Sequence, residues 1–347
     1  MFRPRLKLDH NWPRAHAVVL TRQEEQLHQR SPAFRKDRSM SQPMFRLSFA
    51  TITALVCFTA LSLRSTSAQD LFLTNQGTTS VVQVTPTGQV STFASGSGLG
   101  SRINSIYDLA FDKSGNLFTS NLVDNSISKI TPGGQISTFV NTGLNGAAGL
   151  AFNANGDLFV SNFNSGTISR ITPSGQVSTF VTPGLSSRFL AFDATGNLYA
   201  ASTGGVVDMI TPGGVVSTYA TGVGNAGGLA FNTNGDLFVA TATGNSITRV
   251  TPSGQVNTFA SGGGLSYDFG IAFDTRGNLF ASSAGNNTIE EISPTGVVSI
   301  FLSGNGLNSP NGLAFETEIQ STPEPGALVV AAVALPLLML RRLRRRP

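Results

Sequence analysis

From Asp70 onward the apolar residues fall in short runs, each closed by Gly, Pro, Asn or Asp. Runs of that length between turn formers predict β-strands rather than helices. The runs also come in sets, and residues 149–181 show one set in full as GLAFN, DLFVSN, TISRITP and GQVSTFV. Aligned on Thr/Ser-Pro-x-Gly, the chain holds six copies, beginning at Thr85, Thr131, Thr172, Thr211, Thr251 and Ser293. A second landmark, Leu-Ala-Phe-Asp or a close variant, starts at Leu109, Leu150, Leu190, Leu229, Ile271 and Leu313. Four short strands in a period of about forty residues are the signature of a β-propeller blade.

Strict apolar/polar alternation is missing within the runs, as expected for sheets packed on both faces. Turn chemistry supports the same division. Asp/Asn-x-x-Gly-Asn/Asp, as in Asp112 to Asn116, joins the first strand to the second, with an Asx cap and a left-handed glycine. Thr172-Pro173-Ser174-Gly175 joins the third to the fourth with a type I pattern. A calcium role for these Asp and Asn residues is the weaker reading, since each turn carries a single carboxylate that already has a structural use. Three aromatic slots recur per repeat, and sixteen of the eighteen are Phe, with Tyr199 and Tyr219 in the others. At fixed blade positions such an array reads as blade-to-blade core.

The array opens with a second strand, Asp70-Leu71-Phe72, and ends on a first strand, Leu313-Ala314-Phe315-Glu316. Joined, they complete a blade and remove two free sheet edges. The expectation is an all-β, six-bladed β-propeller of four-stranded blades, closed by N- and C-terminal strands, with a C-terminal hydrophobic helix appended.

Charge changes the picture of the ends. The formal net charge is +4, yet between Asp70 and Glu324 seven basic residues face fifteen acidic ones, a net of −8. The folded body should repel phosphate backbones, which argues against nucleic acid as a partner. His10, His16, His28 and Trp12 precede Met44, and Cys57 sits in an apolar stretch near the N-terminus. The repeats therefore lack the residues for disulfides, thiolate or imidazole metal sites, and Cys/His or Ser/His nucleophile systems.

Four segments are predicted. Residues 1–43 form a polar, basic, disordered or mis-assigned extension, with Met40 or Met44 as candidate starts. Residues 44–69 read as a signal peptide: Arg46, an apolar run from Leu47 to Leu63, then small residues to Ala68. Residues 70–320 form the propeller. Residues 321–347 contain Pro323-Glu324-Pro325, an apolar run from Gly326 to Leu340, and Arg341, Arg342, Arg344, Arg345 and Arg346. That run is short of the roughly twenty residues a bilayer span needs, although flanking arginines can snorkel and favour the cytoplasmic side.

This ending resembles the PEP-CTERM sorting signal. The resemblance implies an exosortase-type processing enzyme as partner, transient inner-membrane anchoring, and final placement at the cell surface or outside. Through GLAF, GNLF or GDLF, and ITPxGQV, residues 70–316 resemble NHL-type repeats and, more loosely, the gluconolactonase, strictosidine synthase-like and virginiamycin B lyase propellers. Virginiamycin B lyase resemblance implies a catalytic histidine, and the repeats have none.

In such propellers ligands meet the face built by the loops that enter the first strand and leave the second. Polar candidates before the first strands are Tyr107-Asp108, Tyr267-Asp268 and Asn311. A metal-dependent lactonase would ring the axis with carboxylates and asparagines to hold a hard cation such as calcium. Here the equivalent positions include Ala148-Gly149, Phe189 and Gly227-Gly228, so the ring is mostly blank. Asn311-Gly312-Leu313 matches the Asn-Gly element of gluconolactonase-like proteins, and Asp108 would join it. The favoured alternative is that Asn311 shapes the turn after Pro310 while Asp108 is solvated. The leading expectation is a non-enzymatic binding platform for an exopolysaccharide or envelope protein, without catalytic residues, cofactor or metal. The rival is a metal-dependent lactonase or hydrolase; a purely structural matrix role is the third reading.

Overall fold

The computed structural model describes residues 68–101, 105–183, 186–266 and 268–316. The predicted extension, the predicted signal peptide except residues 68 and 69, and the C-terminal helix lie outside them. Among the described residues no helix is long and apolar enough to cross a membrane.

The strands form six four-stranded antiparallel sheets. Five of the sheets are meanders in which each strand follows its predecessor through a turn, and the sixth takes its inner strand from the far end of the array. The innermost strands are Pro310–Phe315, Ile106–Phe111, Ala147–Phe152, Ser187–Phe192, Ala226–Phe231 and Asp268–Phe273, for blades 1 to 6. Each packs on the next and the last on the first, which closes the ring.

Closure runs through blade 1, as the unequal ends of the repeat array predict. Its inner strand comes from the C-terminal side, and its other strands are Leu71–Asn75, Ser80–Val84 and Val90–Ser95. Leu71 pairs with Phe315 and Leu73 with Leu313. The Glu316 amide donates to the Asp70 carbonyl at 3.1 Å, and Gln69 Nε2 donates to the Glu316 carbonyl at 2.6 Å.

Local chemistry sets the turns. In the turn after the first strand of blade 2, Asp112 Oδ1 accepts the amides of Ser114 (2.8 Å) and Asn116 (2.9 Å). Gly115 takes φ 76°, the left-handed region open to glycine. The Asx side chain thus does the structural work that its position suggested. At the third-to-fourth turn of blade 3 the Gly175 amide donates to the Thr172 carbonyl at 2.8 Å.

The core lies between blades rather than at a single centre. One cluster joins Phe72, Val81 and Ala94 of blade 1 to Ile106, Leu109, Leu117 and Ile130 of blade 2. Its focus is an aromatic triad in which Phe72 meets Phe93 of its own blade at 4.9 Å and Phe111 of the next at 5.2 Å, both edge to face. The same triad recurs around Phe118, Phe159, Tyr199, Phe238 and Phe280. The aromatic slots are therefore packing positions, each edge-to-face pair adding about 0.5–1.5 kcal/mol beyond burial. The last triad, Phe280 with Phe301 and Phe315, spans the closure.

Candidate functional site at the propeller axis

The residue just before each Leu-Ala-Phe lies on the inner strand, and around the axis these are Gly312, Asp108, Gly149, Phe189, Gly228 and Gly270. At Gly149 and Gly270 the glycine has a steric cause. A Cβ on Gly270 would sit 2.3 Å from the Asn311 carbonyl oxygen, and one on Gly149 would sit 2.5 Å from that of Arg188. At these two positions the neighbouring inner strand is too close for a side chain. The blanks read from the sequence at Gly149 and Gly270 are thus packing requirements.

Asp108 is the charged member of this ring. It is buried, with Oδ1 accepting the Leu109 amide at 2.8 Å and Oδ2 accepting the Leu150 amide of blade 3 at 2.9 Å. Burial pushes its carboxyl up to about 7, against the pull of the two amides. It borders an axial cavity of about 70 Å³ together with Phe189 and the backbone of Gly228 and Gly270. The expected solvated Asp108 is therefore corrected. The inner strand begins at Ile106, before Asp108, so the residue lies inside the sheet and clamps blade 2 to blade 3.

Tyr107 is buried and its ring lies 5.4 Å from that of Phe189, above Ala148 in one apolar cluster. Asn311 is 1% exposed and also lies within its strand, Pro310–Phe315, not in a turn before it. Its Oδ1 is buried with no partner among the described residues. The Asn311 strand abuts that of Asp108, since a Cβ on Gly312 would sit 2.7 Å from Asp108 Oδ1. Asp268 begins the blade 6 inner strand and pairs with Ser283. Tyr267, the Asp268 side chain, Pro323, Glu324, Pro325 and the terminal arginines lie outside the described residues.

Sequence reasoning missed a set of hydroxyls behind the ring. In blades 2, 3 and 6 the inner strand shifts register just before its Leu-Ala-Phe or Ile-Ala-Phe, which takes an amide out of the regular ladder. In blade 2, Ser120 Oγ accepts that amide from Asp108 at 3.0 Å and donates to the Ala148 carbonyl of blade 3 at 2.5 Å. Ser282 does the same between the Gly270 amide (2.9 Å) and the Asn311 carbonyl (2.5 Å). Thr74 joins the Gly312 amide (2.9 Å) to the Tyr107 carbonyl (3.0 Å). Ser161 accepts the Gly149 amide at 2.8 Å. Blades 4 and 5 carry Ala201 and Ala240 at this position, and in blade 4 Phe189 pairs directly with Ala201. The signal was the Ser/Thr recurring two residues after Leu-Phe, whose role depends on a bulge the sequence does not reveal.

Another buried carboxylate, Glu290 in blade 6, accepts Ser283 Oγ and Thr288 Oγ1, each at 2.5 Å. Among the described residues no three His, Cys, Asp or Glu side chains converge as a metal site. Both Asp108 oxygens serve backbone amides, so among the described residues the axial cavity is lined by one titratable carboxyl and not by a cage of ligands.

Solved structures share this architecture. A catalytically inactive histidine-to-alanine variant of virginiamycin B lyase from Staphylococcus aureus, with quinupristin, is 18% identical, with 73% of this chain and 94% of that one covered and a TM-score of 0.55. A candidate gluconolactonase is 17% identical over 59% of this chain and 79% of its own, with a TM-score of 0.52. A protein of unknown function from Bacteroides caccae is 16% identical over 73% and 100%, at a TM-score of 0.57. At these identities the likeness is one of fold. No curated protein matches the sequence. The sequence profile of the virginiamycin B lyase family matches residues 59–329, most of the chain. With the closed ring of blades, that match makes this chain a member of the virginiamycin B lyase family.

Proposed function

We propose that this family member is an exported, non-enzymatic binding platform for polysaccharide or protein. One observation carries the reading. The staphylococcal variant that lost a single histidine is catalytically inactive, and this chain has no histidine after His28. The family fold is kept here without an imidazole to move a proton. The signal-like segment at 44–69 and the PEP-CTERM-like tail support export, anchoring by the apolar run, and maturation by an exosortase-type enzyme.

The rival reading, a metal-dependent lactonase, has one feature in its favour: the unpartnered buried Oδ1 of Asn311 beside the Asp108 strand. Turnover assays on the purified chain with quinupristin and with simple lactones, with and without calcium, test both. The expected result is no turnover and no stoichiometric metal binding. Metal binding abolished by Asn311→Ala would overturn the non-enzymatic reading. Deleting Arg341 to Pro347 should block maturation of the tail, and unchanged maturation would remove the sorting assignment.

A further inference from the structure

The first-to-second and third-to-fourth turns of every blade lie at the same end of the strands, away from the entry to the inner strands. Between blades 5 and 6 this end opens into a groove of about 620 Å³. That is within the roughly 300–1,000 Å³ typical of small-molecule sites. Its lining includes the half-buried rings of Phe259 and Phe273 and two arginines, Arg249 from blade 5 and Arg276 from the first turn of blade 6.

Each guanidinium is held from behind by a buried carboxylate. Arg249 Nη2 lies 2.8 Å from Asp236 Oδ2, with the side chains 44% and 5% exposed. Arg276 Nη2 lies 2.9 Å from Asp274 Oδ2, with 58% and 5% exposed. Arg276 Nε also donates to Asp274 Oδ2 at 2.9 Å, so each guanidinium is anchored at one end while its side chain stays part exposed. A guanidinium has five N–H donors, and these ion pairs leave several free. Arg249 Nε is buried with no partner among the described residues. Two of the seven basic residues of an acidic body thus line one groove together with aromatic rings.

The groove between blades 3 and 4 provides an internal comparison. It has Arg170 on Asp157 at 2.8 Å, but its opposite wall, the turn from Asp193 to Asn197, carries no basic residue. Its volume is about 240 Å³.

We propose that the groove between blades 5 and 6 is a subsite for a uronate-bearing oligosaccharide. The sugar ring lies against Phe259 and Phe273, and its carboxylate takes the free guanidinium edges of Arg249 and Arg276. This assignment rests on the binding-platform reading and gives it a substrate class.

Calorimetric titration of the purified full-length protein with hexagalacturonate, maltohexaose and a sulfated oligosaccharide tests it. Hexagalacturonate should bind, weaken with added salt, and lose about tenfold or more in affinity in Arg276→Ala, while Arg170→Ala leaves it unchanged. Arg249→Ala and Arg276→Ala each uncover a buried carboxylate, so Arg249→Lys and Arg276→Lys are the companion variants; they keep charge but not the fork, and should also weaken binding. Maltohexaose should not bind. Tighter binding of the sulfated sugar than of hexagalacturonate would overturn the uronate assignment. Absent binding, or equal loss in Arg276→Ala and Arg170→Ala, would remove the subsite. A neutral glycan or envelope protein bound with Arg276→Ala silent would remove the subsite and leave the platform standing. Turnover of quinupristin or a lactone would sink the platform instead.

Discussion

The axial ring and the groove between blades 5 and 6 come from the same repeat but obey different constraints. At the axis six strands converge, and backbone approaches as close as the Gly270–Asn311 contact leave no room for side chains at Gly149 and Gly270. At the outer groove the blades splay apart, so Arg249 and Arg276 can vary without disturbing a neighbour's backbone. Among the described residues, chemistry is thus scarcer at the centre than at the periphery.

The comparison can be broken most severely at the ring. Gly270→Ala should cost about 4 kcal/mol or more, or prevent folding, as read by thermal unfolding, because its Cβ would meet backbone rather than a movable side chain. Phe280→Ala, at the triad spanning the closure, should cost about 3–5 kcal/mol. Ser282→Ala leaves the Gly270 amide and Asn311 carbonyl without their shared hydroxyl and should cost about 1–3 kcal/mol. A loss no greater than at an exposed serine would show that the hydroxyls do not tie the blades.

Asp108 sharpens the contrast through pH. Its folded value of about 7 lies above that of an unfolded aspartate, so the folded state holds the proton more tightly. Its contribution should be most favourable below about pH 4, fall as pH rises towards 7, and level off above that. Asp108→Asn should flatten the change in Tm between pH 5 and 8; an unaltered slope would place the titration elsewhere. The smallest stability effect is expected in the groove, where Arg276→Lys, which keeps a cation beside Asp274, should change unfolding by no more than about 0.5 kcal/mol. A larger loss there would mean that the groove, too, is part of the packing.

Much of the fold was legible because each of its signals is local. Asp112 and Gly115 specify their turn through their own side chain and φ, and the aromatic slots repeat because every blade interface needs the same triad. The site was less legible. Asp108 looked like a solvated loop residue because the inner strand starts earlier than Leu-Ala-Phe suggests. Ser120 and Ser282 looked like ordinary strand hydroxyls because their partners arise from a bulge and from the next blade. Arg249 and Arg276 drew no notice because they stand 27 positions apart and meet only across two blades.

By itself the sequence determined the strand period, the turn chemistry, six blades and a closure shared by both ends of the array, since these depend on contacts within a repeat or between identical neighbours. Tertiary structure alone decided that Asp108 is buried, that glycine is imposed at positions 149 and 270, and that two arginines share a groove. Those properties come from distances between strands that only the closed ring brings together.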